Sequence, residues 1–220
     1  MLESEVIQNF PVPITIAVVG THYSGKTTLC NLLGRSLTCE VIEERWSDSP
    51  FLQNQETDLL PNQLWHLFQA SSSLMRAKYL NTRGINVLLD TLPQSNYIFS
   101  RNSLNDADFS VFERIYEAVM CSLPMPDLLI YLSAGTRFLY EQRRIQRIRG
   151  GFGPETDKTV DYAWLDSSRA LHEEMFGTWS LGLSVNVNIE RVDFVNKQDD
   201  LEGLISNMKL KMNGFNQRTL

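Results

Sequence analysis

The stretch GTHYSGKTT, residues 20–28, follows the apolar run ITIAVV and matches the spacing G-x-x-x-x-G-K-[ST] through Gly20, Gly25, Lys26 and Thr27. That P-loop (Walker A) spacing suits one kind of chemistry, the holding of a phosphate chain. Two glycines allow backbone conformations that a Cβ would block. The N–H groups from Gly20 through Thr21, His22, Tyr23, Ser24, Gly25, Lys26 and Thr27 to Thr28 can then converge on an anion at a helix N-terminus, where the dipole favours negative charge. Lys26 adds a point charge for the β- and γ-phosphates, and Thr27 offers a hydroxyl to Mg²⁺. A plain glycine turn ahead of a helix would leave the Lys-Thr pair unexplained.

Other reactive residues are less determinate on their own. VIEERWSDSPFL, residues 41–52, sets Glu43 and Glu44 at a strand end. There a carboxylate suits a general base beside a bound nucleotide, and equally a pair of solvated edge charges. Gln69 and Arg76, seven residues apart, share one face of a helix. Gln69 there suits a nucleobase edge or a neighbouring backbone group. QRRIQRIRGG, residues 142–151, reads as turn-rich and crowds Arg143, Arg144, Arg147 and Arg149 together, as a solvated face or as charge for ATP phosphates. His22 is read as a loop filler, and His66 and His172 as surface or satisfied core groups. Trp46 is placed at the substrate pocket.

These residues need a scaffold. ITIAVVG (14–20), EVIEE (40–44), INVLLD (85–90), DLLIYL (127–132) and VNVNIERV (185–192) read as strands. Long periodic segments lie between them. One, residues 62–80, is expected to be a helix with Leu64, Trp65, Phe68, Ser71, Ser72, Met75 and Tyr79 on its apolar stripe. A second carries Phe109, Phe112, Ile115, Tyr116, Val119 and Leu123, stopped by Pro124 and Pro126. Residues 157–177 and 199–212 complete the helices expected. Alternation of this kind predicts an α/β fold, with a parallel sheet covered on both faces. Ligands then sit beyond the carboxyl ends of the strands, where the loop, Glu43-Glu44 and Asp90 all fall.

The 220 residues, 43% hydrophobic, suit one domain with a good core. The expected layout is an N-terminal arm over 1–13, a single domain over 14–213 and a tail over 214–220. No run approaches the ~20 apolar residues that span a membrane. A net charge of −6 speaks against a nucleic-acid partner. Cys30, Cys39 and Cys121 show no metal-binding spacing, and their odd count argues for a reducing, cytoplasmic setting.

Taken together, these segments resemble the deoxynucleoside kinases over residues from about 14 to about 210. Glu44 stands six residues before Pro50-Phe51-Leu52, Gln69 seven before Arg76, IFSRN (98–102) follows Asp90, and PDLLIYL precedes the arginine-rich segment. The resemblance implies a three-layer P-loop NTPase fold, with a five-stranded parallel sheet and an arginine-rich lid over about 142–156. It implies transfer of the γ-phosphoryl of ATP to a deoxynucleoside 5′-hydroxyl, and a homodimer. Glu44 becomes the base, and Gln69 and Arg76 the readers of the nucleobase. Arg143, Arg147 and Arg149 stabilise the transferring group, Glu155 contacts the sugar, and Thr27 with Asp90 serves Mg²⁺. One departure is plain: the family's arginine after the strand-end acid is Thr91 here. Two rivals share some of these features, a monophosphate kinase related to thymidylate kinase and a nucleotide-binding protein without catalysis.

Overall fold

The structure, a computed structural model, describes residues 12–52, 59–150 and 161–216. Five strands form one sheet in the order β2-β3-β1-β4-β5. They are β1 (Thr15–Val19), β2 (Glu40–Ile42), β3 (Val87–Leu89), β4 (Leu128–Ser133) and β5 (Leu183–Asn188), and every pairing is parallel. Thr15 aligns with Val87 on one side of β1, and Ile16 with Leu128 on the other. Each expected strand is present. The fifth begins two residues before the expected segment and ends at Asn188, where a turn takes over.

Alternation along the buried strands sends side chains to two cores. Ile14, Ile16 and Val18 point to one face, with Leu88, Leu128 and Ile130. There α1 (Lys26–Leu37) and α7 (Gln198–Asn216) cover them through Leu29, Leu33, Leu204 and Met208. Ala17, Val19, Leu89 and Leu129 point to the other, against α2 (Leu59–Asn81), α3 (Pro93–Ser103) and α6 (Tyr162–Phe176). Outside that layer, α4 (Asp106–Met120) packs Phe109 and Phe112 around Leu67 of α2, as its periodicity predicts. Asn105 caps α4 by accepting from the Asp108 N–H at 2.9 Å.

Two expectations need correction, and one helix was not expected. Besides Asn62, α2 buries Leu67, Ala70, Ser71, Leu74 and Ala77, so that of the expected stripe Ser71 is the buried member. Phe68, Met75 and Tyr79 are 50%, 50% and 59% exposed on the far side, because small residues let α2 approach the sheet more closely than aromatic ones would. The segment around IFSRN is itself a helix, α3, started by Pro93, whose missing N–H costs nothing in a first turn. The arginine-rich stretch is helical as far as Gly150, as the second half of α5 (Thr136–Gly150), and is not turn-rich. In addition, α7 runs on to Asn216, past the boundary expected at 213.

Candidate active site

The phosphate-loop motif starts where β1 stops. A Cβ on Gly20 would lie 2.7 Å from the Leu132 carbonyl oxygen, so only glycine lets the loop lie this close to β4. Gly25 has φ 83, the left-handed region that glycine enters without steric cost. Tyr23 also sits there, at φ 65, held by packing against Leu139 and Leu165. From Lys26 onward the chain is helical. The first turn of α1 has no acidic residue and no side-chain cap, so its N–H groups and dipole remain available to an anion. The Lys26 ammonium donates to the Thr21 carbonyl at 3.0 Å.

Behind the loop, Thr21 Oγ1 lies 3.0 Å from Ser168 Oγ on α6, and Ser168 lies against His172. The His22 ring sits edge-on to Phe99 at 4.5 Å and to Trp164 at 5.2 Å. Burial, helped by the charge on Lys26, pushes the His22 pKa down to about 3. Its ring thus packs against Phe99 and Trp164.

Beside the loop, two strand ends converge on it. Asp90, after β3, accepts from the Thr27 hydroxyl at 2.9 Å and from the Glu44 backbone N–H at 2.6 Å. One buried carboxylate thus ties the start of α1 to the end of β2. Glu43 turns the other way and accepts from the Asn31 side-chain amide at 2.7 Å on the exposed side. Burial raises the Glu44 pKa to about 7, with Lys26 opposing and Asp90 reinforcing. Burial likewise raises that of Asp90, against the two hydrogen bonds it accepts. Lys26 is lowered by its own burial, while Glu44 and Asp90 act to raise it.

The donor set matches Mg²⁺ in kind. That ion binds one or two carboxylates and completes its shell with phosphate oxygens and water. Thr27 and Asp90 supply one hydroxyl and one carboxylate. Among the described residues no cluster of three His, Cys, Asp or Glu forms an all-protein metal cage.

Helix α2 runs past Glu44 and brings a residue whose proximity the sequence did not reveal. His66 Nδ1 lies 3.6 Å from Glu44 Oε1. Its only visible signal was sharing a helix face with Gln69, three residues on. Gln69 itself is exposed. Arg76 is not brought to Glu44; it bonds Glu40 at 2.6 Å, at the opposite end of β2. Trp46, in a single 3-10 turn after Glu44, is 51% exposed. Arg143 is 7% exposed, with its guanidinium 5.6 Å from the Tyr140 ring centre, so it is not a solvated lid charge. Thr91 is buried beside Asp90. The side chains of Arg147 and Arg149, and all of Glu155, lie outside the described residues.

Comparison with known proteins gives a consistent answer. The family model for deoxynucleoside kinase matches residues 16–212. A deoxyguanosine kinase of Bacillus subtilis (strain 168) is 24% identical over 207 residues, spanning 88% of this chain and 95% of that protein. Among solved structures, the deoxyadenosine kinase from M. mycoides with products dCMP and a flexible dCDP bound superposes with a TM-score of 0.73 at 19% identity, over 89% of this chain and 98% of that one. The same enzyme with bound dATP gives 0.71 at 20% identity, with the same coverage.

Proposed function

Since the chain belongs to the deoxynucleoside kinase family, we propose that its reaction centre is the meeting of the Gly20–Thr28 loop, Asp90 and Glu44. The protein is a nucleoside kinase, a phosphotransferase. The nucleoside 5′-hydroxyl oxygen bonds to the γ-phosphorus of ATP, the bond from that phosphorus to the β,γ-bridging oxygen breaks, and ADP leaves. The loop N–H groups and Lys26 hold the phosphates, and Glu44 takes the hydroxyl proton. A pKa near 7 matches a base that must be ionised yet still bind a proton at neutral pH. Mg²⁺, when bound, offsets charge on the β- and γ-phosphates; Thr27 and Asp90 are the residues that would hold it.

With uncharged Thr91 at the end of β3, positive charge near the transferring group falls to Lys26 and to Arg143, Arg147 and Arg149 of α5. Gln69 takes the nucleobase, Glu155 the sugar, and Trp46 edges the entrance. The observation that supports this reading is the Thr27–Asp90–Glu44 connection, which ties the backbone of Glu44 to the start of α1. A coupled ADP-release assay with deoxyadenosine, deoxyguanosine, deoxycytidine and thymidine tests it. Nucleoside-dependent ADP release is expected, and none with any of the four would overturn it. Release with thymidylate but not thymidine would indicate a monophosphate kinase instead.

The proposal extends to assembly and setting. Phe68, Met75 and Tyr79 form an apolar stripe on the outer face of α2, which suits a homodimer. Free Cys30, Cys39 and Cys121 fit a cytoplasmic location, and no described helix is long and apolar enough to cross a membrane. Light scattering tests the dimer: Phe68→Glu with Met75→Glu should halve the mass, and an unchanged mass would exclude this face.

A further inference from the structure

Among the described residues, no hydrogen bond reaches the Glu44 carboxylate, although its backbone N–H is fixed to Asp90. A glutamate has three side-chain torsions, so a base held only at its backbone can wander. The charged groups that bear on it are Lys26 and Asp90. Helix α2 presents His66, whose Nδ1 is fully buried, 3.6 Å from Glu44 Oε1 and, among the described residues, without a hydrogen-bond partner. Its ring stands edge-on to Trp65 at 5.0 Å, which restricts its rotation.

We propose that His66 is a positioning residue for Glu44: its Nδ1–H donates to one carboxylate oxygen and leaves the second for the nucleoside 5′-hydroxyl. This rests on the reading of Glu44 as the base. The contact is about 0.4 Å longer than the outer end of the normal N–H···O range, and catalytic hydrogen bonds often tighten only once substrate is bound. Burial keeps the imidazole neutral, with a pKa lowered to about 4. A neutral ring has one N–H and one lone pair. Facing a carboxylate, the form with its proton on Nδ1 is favoured, because the other would set two lone pairs against each other. His66 belongs to neither the loop signature nor the Gln69–Arg76 spacing, so the structure alone assigns it this role.

The test is a set of variants in the full-length enzyme: His66→Leu, His66→Asn, His66→Gln, Glu44→Gln, and Glu44→Gln combined with His66→Leu. For each, kcat and the KM values for nucleoside and ATP are measured. His66→Leu should lower kcat by about 10–100-fold with both KM values within twofold, the scale of a misplaced reacting group. Asn places an amide N–H where Nδ1 lies and should restore most of the rate, whereas Gln, matching Nε2, should not. The double variant should be no slower than Glu44→Gln alone. A wild-type kcat for His66→Leu, equal rates for the Asn and Gln variants, or multiplicative losses in the double variant would overturn the proposal. Should His66→Leu not fold, the Asn-versus-Gln contrast decides. Undiminished turnover in Glu44→Gln would instead remove the base assignment itself.

Discussion

The loop end of the sheet and the outer reach of α2 both carry residues assigned to one reaction, yet they are built differently. At the loop end, polar groups bond to one another across long sequence separations: Thr27 to Asp90, Asp90 to Glu44, Thr21 to Ser168. They stand just past the carboxyl ends of β1, β2 and β3 and on the neighbouring helices α1 and α6. On α2, Gln69 is exposed and Arg76 is engaged with Glu40 at the surface. A phosphate chain is the same in every ATP, so a rigid prebuilt cradle suits it. A nucleoside varies in its base, and the contact proposed for it sits on a helix face that can be changed without disturbing the sheet. Damage should therefore be severe and general at the loop end, where His66 of α2 also points, and mild and substrate-dependent at Gln69 and Arg76.

The largest effect belongs to Lys26→Ala. Turnover should fall below detection and MgATP binding by calorimetry should weaken, because the loop loses its side-chain cation at the phosphates. Normal turnover would break the contrast at its strongest point. Next, Glu44→Gln should lose roughly 10²–10⁴-fold in kcat with ATP binding retained, while Glu43→Gln, turned away toward Asn31, should stay near wild type. The reverse ranking would exclude the observed orientation of the two side chains.

The third prediction concerns the stability cost of a prebuilt site. The native pKa of Glu44 is raised to about 7 from 4.5, so its native-state advantage is complete below pH 4.5 and is lost as pH rises through 7. Glu44→Gln, with no carboxylate to ionise, should therefore gain stability relative to wild type as pH rises from 4.5 to 8, by at most roughly 3 kcal/mol at 1.36 kcal/mol per pKa unit. Denaturant melts at pH 4 and pH 8 measure it, and a difference that does not grow with pH would refute the burial argument.

Smaller effects belong to α2. Gln69→Leu should raise the nucleoside KM several-fold and leave that for ATP unchanged, since an unpaired base edge costs about 1–3 kcal/mol. An unchanged nucleoside KM would leave Gln69 as a surface residue. Smallest is Arg76→Ala. It should cost under about 1 kcal/mol of stability, the usual worth of an exposed ion pair, and change the nucleoside KM by less than twofold. A tenfold rise would mean that Arg76 leaves Glu40 to meet the substrate.

The same division governs what could be read from the chain. The loop was legible because its chemistry needs fixed residue types at fixed intervals. The five strands announced themselves as short apolar runs. On α2, aromatic bulk suggested most of the stripe, whereas closeness to the sheet selected Ala70 and Ala77 for the interior. Bulk reports hydrophobicity, but the buried face is chosen by how near two elements must come. Helix α3 was hidden because SNYIFSRN has little apolar periodicity and is placed by its neighbours. His66 lies 22 residues from Glu44 along the chain, and only the course of α2 over the strand ends makes them adjacent.

The central position of β1 has a consequence for how the chain reaches this state. β1 emerges first in synthesis, but its partners β3 and β4 lie roughly 70 and 110 residues further on. Its register cannot close until both exist, and such long-range parallel pairing makes folding slow. Gly20 leans on Leu132 of β4, so the earliest-made motif is among the last to take shape. A nascent or truncated chain ending before residue 128 would carry the whole nucleotide signature without a completed cradle. In a ribosome-bound series of increasing length, ATP protection should appear only once β4 has left the exit tunnel.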